Sequence, residues 1–287
     1  MRKQSFHLVL IILLFGIKLS LAQTTDSGLI QKDLPWSTDS PAGFVELQIP
    51  SAGSLLQGFI YKANGSKAHP TLILLHGYPG NERNLDLAQA VRAHGWNVIY
   101  FDYRGSWGSQ GEFSFKHCVE DVKNVVAYFK QNAAKFQIDV RTIALFGHSM
   151  GGFVCLKALE EISDIQKGFA LSSWDIYAST IKAEKANKLS TLEKDADNYF
   201  VLNKKSGKAL FAAVLQDADF HNLLNSSKVL ATKQVVMLDE HEDNKDLAAS
   251  IQEANQNYFS YEVWKTDHSF TNKRVSLINK VLAFLDK

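Results

Sequence analysis

The sequence holds little cysteine: Cys118 and Cys155 are the two in 287 residues. Neither sits at a metal-ligand spacing, and two cysteines are too few for a disulfide framework. They read best as small apolar residues on neighbouring helices. A surplus of one charge sign is missing as well, since 31 Lys and Arg stand against 30 Asp and Glu. That near-neutral balance gives no electrostatic reason to expect nucleic acid as a partner. After residue 22 no apolar run is long enough to cross a bilayer. Internal repeats and low-complexity tracts are lacking too, which excludes solenoids and linker-rich arrays.

What is present begins with a leader. Arg2 and Lys3 give a positive start, and an apolar run from Phe6 to Leu21 is broken only by His7, Gly16, Lys18 and Ser20. Ser20-Leu21-Ala22 then sets small residues at the two positions a signal peptidase reads, so residues 1–22 are expected to be a signal peptide cleaved before Gln23. The mature chain would be periplasmic or secreted. Cleavage removes three basic residues and no acidic one, leaving 28 against 30 and a formal charge of −2. Residues 23–42 read as an N-terminal extension and 43–287 as one large domain.

Within that domain short apolar runs alternate with helical patterns. Thr71–Leu75 (TLILL), Asn97–Asp102, Thr142–Phe146, Gly168–Leu171, Gln234–Leu238 and Ser260–Trp264 read as strands. Leu85–His94, Cys118–Phe129, Gly151–Leu159, a segment from about Leu247 and Val275–Leu285 read as helices. Such alternation implies an α/β fold, a mostly parallel central sheet with helices on both faces. Phe44–Ile49 and Leu55–Tyr61, separated by Pro50-Ser51-Ala52-Gly53, read instead as an antiparallel hairpin at the sheet edge. Between Ser173 and Lys233 the strands stop while helical spacing continues. A structureless loop of that length is unfavourable in a compact domain, so a helical cap insertion is predicted over about 174–233.

Gly147-His148-Ser149-Met150-Gly151-Gly152 follows a buried strand and opens a helix. Glycines on both sides of the serine permit a sharp, strained turn that lifts the hydroxyl above the sheet. Ser149 then lies at a helix N-terminus, where amide groups and the helix dipole favour developing negative charge. His148, inside the turn, reads as packing.

With His76-Gly77-Tyr78-Pro79-Gly80, Asp102-Tyr103-Arg104-Gly105 and the late Asp267-His268, this turn resembles the α/β-hydrolase superfamily from Gly43 to the C-terminus. The segment Tyr103–Ser109 is similar to that of bacterial hydrolases related to the prolyl oligopeptidase catalytic domain, here without the β-propeller. The resemblance implies the α/β-hydrolase fold and the chain order Ser, acid, His. It makes His268, after the last strand, the base that activates Ser149. It makes the backbone N–H groups of Tyr78 and Met150 the oxyanion donors and leaves His76 to order its turn. The acid is implied in the loop after the seventh strand, where Asp239-Glu240-His241-Glu242-Asp243 offers four carboxylates. The superfamily's common spacing favours Asp243, then Glu242, then Asp239, and an older branch of the fold would use Asp175. Asp267 is set aside because adjacent side chains point apart in an extended segment. Asp102 and Arg104 are expected to brace the loop beneath the site, and Tyr78 and Trp107 to line a substrate pocket.

The expected activity is that of an exported serine hydrolase acting on a small-molecule ester or a short peptide. Carboxylic esters come first and a peptidase or aminopeptidase second. An acyltransferase would share the same acyl-enzyme. A catalytically silent binding protein on this scaffold would need a lost triad position or oxyanion glycine, yet Ser149, His268, Gly77 and Gly151 are all intact. No metal or organic cofactor is expected.

Overall fold

The computed structural model describes residues 36–287. The predicted signal peptide and residues 23–35 of the extension lie outside the described residues. Among these residues eight strands form one sheet: β1 (Gly43–Ser51), β2 (Ser54–Lys62), β3 (His69–Leu75), β4 (Asn97–Phe101), β5 (Ile138–His148), β6 (Lys167–Leu171), β7 (Gln234–Asp239) and β8 (Tyr258–Val263). Their order is β1-β2-β4-β3-β5-β6-β7-β8. The pairs β1/β2 and β2/β4 are antiparallel and every other pair is parallel. The hairpin at the edge is tighter than predicted. Pro50 stays in β1 opposite Leu55, and Ser51 pairs with Ser54. Proline is tolerated there because β1 is an edge strand. The two-residue loop is Ala52 (φ 44°) and Gly53 (φ 79°), both left-handed, the twist that matches the flanking strands.

Among the described residues eight longer helices accompany the strands: α1 (Leu85–Ala93), α2 (Phe115–Gln131), α3 (Met150–Glu161), α4 (Ile176–Lys185), α5 (Leu189–Asp197), α6 (Gly207–Gln216), α7 (Lys245–Glu253) and α8 (Arg274–Leu285). Alternation along each buried strand feeds two separate cores. On β3, Ile73 and Leu75 join the core under α2, α3 and α7, while Leu72 and Leu74 join the core under α1 and α8. Helix α3 is buried on every side from Met150 to Leu159, so it runs through the middle of its layer. Cys118 on α2 and Cys155 on α3 are both free and buried, behaving as small apolar residues.

The segment between β6 and β7 carries α4, α5 and α6 with shorter turns at Ala218–His221 and Ser227–Leu230. Its one extended contact is an isolated bridge between Ser106 and Leu202. Among the described residues no helix is long and apolar enough to cross a membrane.

The loop after β4 is pinned to α2. Arg104 donates from Nε to Asp121 Oδ1 at 2.6 Å and from its backbone N–H to Asp121 Oδ2 at 2.8 Å. Ser51 donates to the same carboxylate at 2.6 Å, so a fully buried charge is paired and hydrogen-bonded on both oxygens. Arg104 is thus the brace that was expected. Asp102 takes a different position, described below.

The start of α3 presses against the end of β3. A Cβ on Gly151 would lie 2.0 Å from the carbonyl oxygen of Leu75, and one on Gly147 would lie 1.8 Å from that of Gly151. Both neighbours are backbone and cannot turn aside. Gly151→Ala is therefore expected to destabilise the fold by about 1–3 kcal/mol or more, seen as a lower urea midpoint at unchanged slope.

Candidate active site

Ser149 stands between β5 and α3 at φ 59°, ψ −120°. A side chain rarely adopts this backbone, and holding one there costs about 1–3 kcal/mol. The restraint is supplied by hydrogen bonds. The Ser149 N–H donates to Leu171 O at 2.8 Å, and its carbonyl accepts from Gly152 N–H at 2.8 Å and Trp174 N–H at 3.0 Å. The loop after β3 crosses close by. A Cβ on Gly77 would be 3.1 Å from Ser149 Cβ and 3.2 Å from the His148 carbonyl oxygen, so a side chain there would crowd the turn that carries the hydroxyl. Among the described residues neither the Tyr78 N–H nor the Met150 N–H donates to another group, so both are available at this point.

His76 is buried, and its Nδ1 donates to Gly77 O at 2.8 Å. Burial lowers its pKa to about 4, so the ring is neutral and ties the turn. Asp102, raised to about 6 by its own burial, lies 3.8 Å from His76 Nε2 and accepts from the Tyr100 hydroxyl at 2.8 Å. His148 is likewise buried and lowered to about 4, first by desolvation and then by His268. Its Nε2 bonds the His268 carbonyl at 2.8 Å.

The carboxylate against His268 is that of Glu240. Its Oε1 accepts from His268 Nδ1 at 2.6 Å, and its Oε2 accepts from the Ser172 hydroxyl. With Nδ1 as donor, the lone pair is on Nε2. Burial pushes the Glu240 carboxyl up, but the bonds from His268 and Ser172 outweigh it and bring its pKa down to about 2. The bond to Glu240 raises the His268 pKa, and partial burial opposes it.

The carboxylates that the sequence favoured as partners of His268 lie elsewhere. Asp243 is 73% exposed, with His241 Nδ1 at 3.9 Å. Glu242 is equally exposed, near Lys245 at 4.0 Å. Asp239 is fully buried, accepts from Asn244 Nδ2 at 2.9 Å and is raised to about 6 by desolvation. Asp175 caps α4 by accepting from Ala178 N–H at 2.9 Å. None of the four bonds His268. The physical reason is where β7 ends. The strand runs to Asp239, so Glu240 is the first residue beyond it, and the extra methylene of glutamate gives the reach an aspartate would need a longer loop to achieve. Asn244, bonded also to Ser173 O at 2.8 Å, draws the following loop back and leaves residues 242 and 243 in solvent.

Ser149 and His268 open onto one cavity of about 690 Å³, walled by Trp174, Lys182, Leu192 and Asn244 among others. No hydrogen bond joins Ser149 Oγ to His268 among the described residues, a contact that often tightens only with substrate present. Tyr78 and Trp107, expected as lining, are absent from the walls. The Tyr78 ring packs among Phe113, Phe115, Trp174 and Tyr199 at 5.2 to 6.0 Å. Trp107 donates from Nε1 to Pro79 O at 2.7 Å and supports the loop from outside. The aromatic at the wall is Trp174, marked in the sequence only by following the strand-end pair Ser172-Ser173. Among the described residues no cluster of His, Cys, Asp and Glu is placed to hold a metal.

Comparison with known proteins adds the following. The family model described as serine aminopeptidase, S33 (Hydrolase_4) matches residues 66–236. An uncharacterised 31.7 kDa protein of Escherichia coli is 32% identical over 161 residues, which are 52% of this chain and 54% of that protein. The chain thus spans about half the length of the curated relatives it matches. An esterase of Pyrococcus furiosus superposes with TM-score 0.63 at 20% identity, covering 89% of this chain and 94% of its own. Dipeptidyl peptidase 4 of Porphyromonas gingivalis superposes with TM-score 0.59 at 17% identity, over 86% of this chain and 35% of its own. These structural likenesses establish the α/β-hydrolase fold. The dipeptidyl peptidase gives the prolyl-oligopeptidase resemblance only loose support, and the described residues include no propeller.

The Glu240–His268 pair has a signature in stability. Glu240 is depressed from 4.5, so its contribution is present above that pH and lost as pH falls toward about 2. His268 is raised from 6.5, so its contribution is present below that pH and lost as pH rises through its folded value. The difference in Tm between the wild type and Glu240→Gln should be largest between these two ordinary values. Thermal melts at about pH 3, 5.5 and 9 check this, with the widest gap expected at the middle one.

Proposed function

The chain belongs to the serine aminopeptidase S33 (Hydrolase_4) family of hydrolases, and from that premise we propose that it cleaves carboxylic esters through an acyl-enzyme, with Ser149 as nucleophile, His268 as general base and Glu240 as the acid partner. The observation that carries this reading is the 2.6 Å bond from His268 Nδ1 to Glu240, in a ring that shares the cavity of Ser149. In the proposed reaction Ser149 Oγ attacks the carbonyl carbon while His268 Nε2 takes its proton, a step for which a base is worth roughly 10²–10⁴ in rate. Glu240 keeps the imidazole in the correct tautomer and stabilises the imidazolium. The Tyr78 and Met150 amides hold the oxyanion, each worth roughly 2.7–4 kcal/mol of transition-state stabilisation. His268 then returns the proton to the leaving alkoxide and activates water to release the acid. Helices α4 and α5, which contribute Lys182 and Leu192 to the cavity, are proposed to set acyl preference.

A peptidase on the same triad is the second reading, favoured by the family's description and by the fold shared with a dipeptidyl peptidase. Export with cleavage before Gln23 is part of the proposal, and N-terminal sequencing of the purified chain tests it.

A fluorophosphonate probe should label the wild type and leave Ser149→Ala unlabelled. A folded wild type that takes no label would sink the proposal. Turnover of p-nitrophenyl esters with aminoacyl-p-nitroanilides left intact supports the esterase, and the reverse pattern the peptidase. The acid limb of kcat/KM should have its midpoint above 6.5, because His268 must be neutral and Glu240 raises its pKa. Glu240→Gln should move that limb to lower pH and reduce kcat/KM by roughly 10²–10⁴-fold, whereas Asp243→Asn should leave the limb in place.

A further inference from the structure

We infer that Ser172 is a positioning residue for catalysis, its hydroxyl holding Glu240 in the one orientation that meets His268; the inference rests on the triad proposed above. Ser172 is 1% exposed and follows directly on β6. Its N–H donates to Leu238 O at 2.8 Å, which ties the ends of β6 and β7 together. From there its hydroxyl donates to Glu240 Oε2, the oxygen that His268 does not use. Each carboxylate oxygen thus has its own partner, one from the strand end after β6 and one from the loop before α8.

Two considerations make this more than incidental contact. Glutamate has one more rotatable bond than aspartate, so a single bond to a half-exposed imidazole leaves the carboxylate several orientations. A second anchor removes them. The backbone supplies the other consideration. Ser172 is held at φ 46°, where glycine would sit without penalty and a side chain is strained. A strained outlier beside a reactive group points to a role for the side chain that the strain secures. Other charged or titratable groups also face the pair: His241, with Nε2 3.7 Å from Glu240 Oε1, and Asp239, Asp267 and His148 on the adjoining segments. None of them bonds Oε2.

Ser172→Gly tests the inference, since it deletes the hydroxyl and relaxes the backbone at once. It is expected to fold with an unchanged or higher Tm. On a p-nitrophenyl ester, kcat should fall roughly tenfold or more with KM within about twofold, the pattern of a lost transition-state interaction. The acid limb should shift to lower pH as His268 loses a steady partner. In a Glu240→Gln background the same change should have no further effect on kcat, because both act through one carboxylate. Ser172→Ala, which keeps the Cβ, should show the same kcat and pH behaviour. Ser172→Gly with wild-type kcat and limb would overturn the inference while leaving the triad standing. A loss that persists undiminished in the Glu240→Gln background would overturn it too, by placing the action of Ser172 elsewhere. Wild-type activity in Glu240→Gln alone would remove the triad proposal and this inference with it.

Discussion

The site depends on one backbone constraint, the left-handed turn at Ser149. Strain of that kind persists only where the surroundings over-determine it. Here the segment from Leu171 to Trp174 takes up the Ser149 N–H at one end and its carbonyl at the other. Strand β6 must therefore end level with β5, and the side chains that follow it have fixed stations. Ser172 comes to lie over the end of β7, and Trp174 comes to the cavity wall. The glycines around the serine belong to the same constraint. They are needed less for unusual dihedral angles than because backbone meets backbone there at distances that leave no room for a methyl group.

Burial then sorts the histidines. His76 and His148 are enclosed, held neutral, and used as pins: one ties the loop after β3, the other grips the backbone of His268. His268 is the one among the three whose pKa moves upward, because a carboxylate faces it and solvent still reaches it. Similar rings thus receive different work from burial and from the groups that face them. Asp239 and Glu240 make the same point for carboxylates. They are adjacent in the chain, yet one is pushed up to about 6 by desolvation and the other brought down to about 2 by its two donors.

Much of this was legible in the sequence. The apolar runs gave strands and helices nearly where they lie, because buried parallel strands are short, β-branched and bounded by glycine or polar residues. The turn at Ser149 was legible because its glycines are required by close contact. His268 was placed by its position between the last strand and the last helix. Glu240 was not recognised. The pattern assumed an aspartate several residues past the strand, and nothing in QVVMLDE reveals that the strand continues through Asp239 or that a longer side chain closes the remaining distance. Ser172 was invisible for a similar reason: a serine after a strand is common, and its left-handed backbone appears only once β6 and β7 are paired. Loop aromatics carry no sign in the sequence of which way they face: Tyr78 packs inward, and Trp107 supports the loop after β3 from outside.

The location of Glu240 bears on how such an enzyme can diversify. In an arrangement whose carboxylate stands well out along a loop, insertions and deletions in that loop disturb its bond to the imidazole. Here the bond between Glu240 and His268 is made one residue past the strand, and the exposed Glu242 and Asp243 lie beyond it, with Asp243 bordering the cavity. Glu242 and Asp243 can therefore change charge at the cavity's edge without breaking that bond, whereas His241, 3.7 Å from Glu240 Oε1, is tied to it.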